Sequence, residues 1–338
     1  MKRWKVLALA AALAVLAGCS GGAPDETPVT VETEAMDTTM QLTAYGSEAA
    51  EALDAAQQDI LRLDAMLSAT APDSEISALN RTGQGTLSED PRTLLARAIE
   101  ISAQTDGAFD PTVAPLMNAW GFPSKDYHVP SPQTLQTLLP LVNAQAVTLE
   151  TDGRCRLPAG VQVDMGGIAK GYAAERVMAI FREHGIEHAL ISLGGNIQAL
   201  GSKPDSSPWR IGIQDPRRPD ALIAEVQIYN RAVVTSGGYL RYFEKNGVRY
   251  HHILDPRTGR PADSGLLSVT IVSKDGTLAD ALSTALFVMG KSQASDYWRA
   301  HRNDFDAILV DEAGCVSVTQ GIASAVHCTD NQAPEVIA

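Results

Sequence analysis

The chain has 338 residues, 45% of them hydrophobic and 20% charged, with 40 acids against 27 lysines and arginines and a formal net charge of −13 at pH 7. That length and balance exclude a disordered chain and supply enough apolar surface for one large domain or two modest ones. So acidic a chain is a poor partner for nucleic acid, so any phosphate it binds must be held by a local device such as a metal ion or a glycine loop.

The N-terminus reads as a targeting segment. Met1-Lys2-Arg3-Trp4-Lys5 is basic, Val6 to Ala17 is apolar but too short to span a membrane, and Leu16-Ala17-Gly18-Cys19 follows. Small residues before a cysteine at this place resemble a bacterial lipoprotein signal. The resemblance implies a signal peptide over 1–18, with Cys19 as the lipidated first residue of the mature chain. A simple secretory peptide with an incidental cysteine is the alternative. Ser20 after the cysteine, rather than Asp, favours an outer-membrane over an inner-membrane anchor. The expected location is therefore extracytoplasmic, lipid-anchored on the periplasmic face. Loss of Lys2, Arg3 and Lys5 takes the formal charge to about −16.

Residues 19–30, rich in Gly, Ser and Pro, predict a flexible tether, and 31–330 a single folded unit. Val31 to Tyr45 alternates weakly and predicts a strand. Apolar residues at helical spacing predict helices over Ser47–Leu67, Pro91–Gln104 and Pro132–Leu139. From Val147 the texture changes to strands broken by turns. Strands are expected at Val161–Asp164, Ala189–Leu193, Trp209–Ile213, Ala224–Ile228, Ala232–Val234, Leu267–Val272, Ile308–Val310 and Cys315–Val318. Helices are expected at Ala173–His184 and Leu278–Met289, and Asp311-Glu312-Ala313-Gly314 reads as a hairpin turn. The pattern is α+β, with room for two subdomains. Cys155, Cys315 and Cys328 contain no CxxC, so zinc is not indicated. Cys315 and Cys328 could pair or stay reduced.

Four stretches could carry chemistry. In Val163-Asp164-Met165-Gly166-Gly167-Ile168-Ala169-Lys170-Gly171-Tyr172, paired glycines precede a helix start. Glycines allow close backbone approach, and a helix start offers free N–H groups to an anion. The spacing is neither GxxxxGK[ST] nor GxGxxG. The plain alternative is a tight turn capped by Asp164 with Lys170 exposed. In Lys274–Leu286, Leu278, Leu282 and Leu286 form an apolar stripe, while Asp280 and Thr284 share another face. A carboxylate and a hydroxyl so stacked suit a hard cation such as magnesium. Thr277-x-x-Asp280 is equally a capping-box pattern. In Tyr250-His251-His252-Ile253, adjacent strand residues face opposite ways, so one histidine at most serves a given site. Thr105–Val113 and Thr235–Phe243 are loop-like and rich in hydrogen-bonding groups. GxSxG is absent, so a serine hydrolase has little support.

Together and in this order, these pieces resemble the FAD:protein FMN transferase (ApbE-type) family. The residues concerned are Asp73-Ser74-Glu75-Ile76 with Asn80; Asp106–Pro111; Val163-Asp164 through Lys170-Gly171-Tyr172; Ser192–Asn196; Thr235-Ser236-Gly237; His252-Ile253 with Asp255–Gly259; and Ala279-Asp280-Ala281 with Thr284-Ala285. The resemblance implies an ApbE-like α+β catalytic unit that binds FAD with Mg2+, passes FMN to a threonine hydroxyl on a target protein and releases AMP. It implies metal ligation by the Gly167 carbonyl, Asp280 and Thr284, with Ser283 adjacent. Flavin contacts would come from Met36, Ala108, Phe109, Asp110, Asp164, Lys170 and Leu254, and His252 would be the base. The acceptors the resemblance implies are flavin-carrying subunits of membrane redox complexes. An FAD pyrophosphatase and a non-enzymatic flavin-binding lipoprotein are the competing readings. Thr70 and Gly238 stand where relatives often carry an aromatic and an acid, which implies altered flavin contacts there.

Overall fold

The structure, a computed structural model, describes residues 27–329 and 333–338. The signal segment 1–18 and Cys19 lie outside the described residues. The centre is a nine-stranded sheet, in the spatial order Val29–Ala35, Thr38–Ala44, Ala189–Leu193, Asn196–Leu200, Ala232–Gly237, Leu266–Ser273, Phe305–Asp311, Val316–Thr319 and Glu335–Ile337. Neighbours run antiparallel except the last pair, which is parallel. This is the expected α+β class, wider at both ends than the expected 31–330. Val29 pairs with Ala44 inside the stretch read as tether, and Glu335–Ile337 pairs with Ser317–Thr319.

Side-chain alternation gives the sheet two buried faces. Leu193, Val234, Ile271 and Leu309 pack into one core with the helices Ala49–Leu67, Ala169–Glu183 and Gly276–Ala300. Val233, Val272, Ile308 and Val310 pack into another, against a small sheet of Trp209–Asp215, Arg218–Ile228 and Val326–Cys328. A third, smaller cluster of Leu116, Trp120, Phe122, Leu135 and Leu254 joins the helices Ala114–Trp120 and Pro132–Leu138 to the hairpin Tyr242–Lys245/Val248–His251.

Several elements differ from their sequence reading. Val31–Tyr45 is a hairpin rather than one strand, turning at Met36 and Asp37 with φ of 51° and 61°. Both turn residues are left-handed, a geometry that usually advertises itself as Asn-Gly or Asp-Gly, and Met-Asp does not. Val161–Asp164 is extended but joins no sheet. The Asn80 amide takes the place of a neighbouring strand, donating to the Val163 carbonyl at 2.8 Å and accepting its N–H at 2.7 Å. The helix expected from Ala173 begins at Ala169, so Lys170 and Gly171 lie in its first turn. The helix expected over Leu278–Met289 runs Gly276–Ala300, broken at Gly290, where φ is 75°. Cys315 is exposed with a free thiol, so no bridge joins it to Cys328.

Candidate functional site

One cavity of about 1090 Å3 opens between the helical face of the sheet and the aromatic cluster. That is at the upper end of the roughly 300–1,000 Å3 usual for small-molecule sites, and leaves room for a dinucleotide. Met36, Ala108, Phe109, Asp110, Asp164, Gly167, Lys170, His252, Leu254, Asp280 and Thr284 all line it. Residues 36 and 284 are thus brought to one wall system by the hairpin turn, the glycine turn and the long helix. Its charged lining includes Arg81, Lys125, Lys170 and Arg241 against five aspartates.

Asp280 is the pivot. It does not cap its own helix. That N-cap is Asp275, which accepts the Leu278 N–H at 2.8 Å, so the capping-box reading of Thr277-x-x-Asp280 is replaced. The Asp280 carboxylate is buried and reaches the neighbouring helix instead, where Oδ2 accepts the Gly171 N–H at 2.9 Å. Gly171 lies in the first turn of the Ala169 helix, where backbone N–H groups have no acceptor within the helix, and Asp280 satisfies this one from outside. Oδ1 of Asp280 lies 3.9 Å from the Lys170 ammonium, which donates instead to the Gly166 carbonyl at 3.2 Å. Asp164 does not cap the Ala169 helix either. Its Oδ1 accepts the Gly166 N–H at 2.8 Å and tightens the glycine turn.

The two helices can meet this closely only because residue 171 is glycine. A Cβ there would lie 2.2 Å from the Gly276 carbonyl oxygen and 2.8 Å from the Asp280 Cβ. Gly171→Ala is expected to push the helices apart, cost about 1–3 kcal/mol and lower the thermal unfolding midpoint. Gly167 is constrained likewise: a Cβ would sit 3.1 Å from the Phe109 ring and 4.0 Å from Thr284 Oγ1. That places Gly167 against both Phe109 and Thr284.

Asp280, Thr284 and Gly167 line the same cavity, and a carboxylate, a hydroxyl and a main-chain carbonyl would suit a hard cation such as Mg2+ better than a soft metal. Ser283 is not part of the wall. It is fully buried, and its hydroxyl donates to the Asp280 carbonyl at 2.7 Å. With that proton committed, the Ser236 hydroxyl 2.7 Å away must donate to Ser283, and Ser236 Oγ lies 3.4 Å from Thr284 Oγ1. Ser283 therefore braces Ser236 and the ligand-bearing turn.

Asp110 borders the cavity, yet its carboxylate is spent inward. Oδ1 accepts from the Thr112 N–H at 2.7 Å and hydroxyl at 2.5 Å, and Oδ2 from the Ala144 N–H at 3.1 Å. It shapes the loop that carries Ala108 and Phe109.

The two histidines part as strand geometry requires. His251 turns to the Ala262 carbonyl and packs edge-on against Phe287. Its ring also lies on Gly238, where a Cβ would come within 2.8 Å of it, so a side chain at 238 has no room. His252 lines the cavity. Its Nδ1 lies 3.1 Å from the Arg241 carbonyl. A carbonyl only accepts, so Nδ1 carries the proton and Nε2 keeps its lone pair. Burial, then the nearby Arg241 charge, pushes the His252 pKa down to about 4, so the ring is neutral at pH 7. Arg241 in turn is held by the Phe122 carbonyl. The sequence marks Asn80 and Ser236 only as members of motifs and Arg241 only within the Thr235–Phe243 stretch, and assigns none of the three a role, because a lone Arg, Ser or Asn in a loop or helix carries no signal of which partner it will meet. Thr70 also lines the cavity, bonded to Ser68 at 3.3 Å rather than offering a ring.

An α+β scaffold that brings a glycine turn, an oxygen-donor set and a neutral histidine around a dinucleotide-sized cavity defines an enzyme of group transfer rather than a scaffold protein. The ApbE family model matches residues 36–309, and the chain belongs to that family. It is 32% identical to an FAD:protein FMN transferase of Treponema pallidum, over 97% of this chain and 96% of the relative. An ApbE protein of Thermotoga maritima superposes with a TM-score of 0.83 at 33% identity, covering 88% of this chain and 99% of that one. The apo form of Pseudomonas stutzeri flavinyl transferase ApbE gives 0.79 at 32%, covering 88% and 96%. The chain is a transferase, as expected.

Proposed function

We propose that this chain transfers FMN from FAD to a threonine hydroxyl of an acceptor protein in a Mg2+-dependent reaction that releases AMP. The observation that carries it is that Gly167, Asp280 and Thr284 line one cavity, with Asp280 tied through the Gly171 N–H to the start of the helix that follows Gly167. Bound there, Mg2+ would neutralise charge on the pyrophosphate. The residues do the rest. Lys170 and Arg241 add positive charge along the same wall. His252 Nε2, unprotonated, takes the proton of the attacking hydroxyl. Phe109 closes the glycine turn and excludes water beneath it.

The test mixes protein, FAD, Mg2+ and a threonine-bearing acceptor peptide. A mass gain of one FMN on the peptide, with AMP released, is expected. FMN and AMP without modified peptide would make the enzyme a pyrophosphatase, and tight FAD binding without turnover would make it a flavin carrier.

The acceptor we infer is a flavin-carrying subunit of a membrane redox complex, met outside the cytoplasm by an enzyme anchored through lipid on Cys19. Cys19→Ala is expected to move the protein from the membrane to the soluble fraction, with its activity on the peptide unchanged.

A further inference from the structure

Asn196 begins the strand Asn196–Leu200, directly after the Gly194-Gly195 turn, and borders the cavity. It is 1% exposed, and neither its Nδ2 nor its Oδ1 has a hydrogen-bond partner. Buried primary amides are normally satisfied, and leaving both ends unpaired costs more than an apolar residue would. A side chain like this, at the wall of a ligand cavity, is waiting for a ligand that offers a donor and an acceptor together.

Two elements locate Asn196 relative to the rest of the site. Asn196 pairs with Val234, and Ser236, next to Thr284, lies two residues along the same strand and on the same face, about 7 Å away. The long helix gives the same order. Gly276 packs against Gln198, which pairs with Ala232; Ser283 meets Ser236 one to two turns later; Phe287 meets His251 beyond it. Thr284, beside Ser236, thus lies between Asn196 and the histidine pair, with Asp280 one turn nearer Asn196. In an in-line displacement the leaving group departs opposite the nucleophile. With His252 marking the nucleophile's side, the leaving adenylate lies towards Asn196.

We propose that Asn196 binds the adenylate half of the dinucleotide, its amide N–H donating to a phosphate, ribose or ring acceptor and its carbonyl accepting from the amine or a ribose hydroxyl. This rests on the transfer reading above. A rotation of the terminal amide, a broad torsion, suffices to present both atoms.

The test measures AMP and FMN binding separately, each with Mg2+, to wild type and to Asn196→Leu. Loss of two hydrogen bonds predicts AMP binding weaker by about tenfold or more with FMN binding unchanged. Asn196→Leu is also expected to melt no lower than wild type without ligand, because no internal hydrogen bond is lost; a purely structural asparagine would lower it. Should Asn196→Leu not fold, Asn196→Ala, which removes the same two polar atoms without adding bulk, is read the same way. Unchanged AMP binding, or a loss confined to FMN, overturns the assignment while leaving the transfer reading intact. A wild type that binds neither nucleotide overturns both.

Discussion

Asp280→Ala abolishes Mg2+-dependent FMN transfer, with a fall of about a thousandfold or more expected in turnover, while the fold survives. The effect exceeds the loss of one ligand. Without the carboxylate, the Gly171 N–H in the first turn of the Ala169 helix loses its partner, and the glycine turn that carries Gly167 loses its tie to the long helix. One ligand is then gone and a second is no longer held in place, so raising Mg2+ does not restore the rate. Asp280→Asn separates the two effects. Its amide oxygen can still accept from Gly171, keeping the glycine turn tied to the long helix, and only the charge is lost. We expect Asp280→Asn to be weak but partly rescued at high Mg2+. A magnesium titration of peptide flavinylation, alongside a thermal melt, reads both variants. Normal turnover by Asp280→Ala at ordinary Mg2+ would sink the metal assignment.

His252→Ala is expected to lower kcat by about 10²- to 10⁴-fold with Mg2+ affinity unchanged. The pH profile adds a sharper signature. A base must be neutral to act, and burial beside Arg241 holds His252 near 4 rather than 6.5. In wild type, kcat/KM should therefore stay flat as pH falls through 6.5 and decline only on approaching 4. An acid limb centred near 6.5 would show that a solvated histidine, or another group, is the base. Stability follows the same sign. The unfolded chain binds the proton more tightly, so the His252 contribution is complete above pH 6.5 and lost progressively down to about 4. His252→Ala should flatten that part of the stability curve.

The order of strands and helices was legible because alternation and helical spacing survive in sequence, as in Ala189–Leu193 and Ala49–Leu67. So were the residues that gather at the cavity, although only through their order and resemblance: Asp280 by itself reads as a cap. What deceived was substitution of one hydrogen-bond partner for another. Asn80 stands in for a strand, Asp275 takes the cap, and Asp280 takes an N–H from a residue 109 positions away. Such exchanges leave local sequence unchanged and become visible only when distant segments meet. Ser283 shows the complementary error, since adjacency to Thr284 in sequence put it at the cavity when helical rotation turns it towards Ser236.

The sheet starts at Val29, only about ten residues past Cys19. If that cysteine holds the lipid, the leash is at most roughly 35 Å even when fully stretched. The enzyme then works within one molecular diameter of the bilayer surface. Substrates would have to be presented in that thin shell, and lengthening the leash, rather than altering the cavity, would be the way to widen the range of acceptors it can reach.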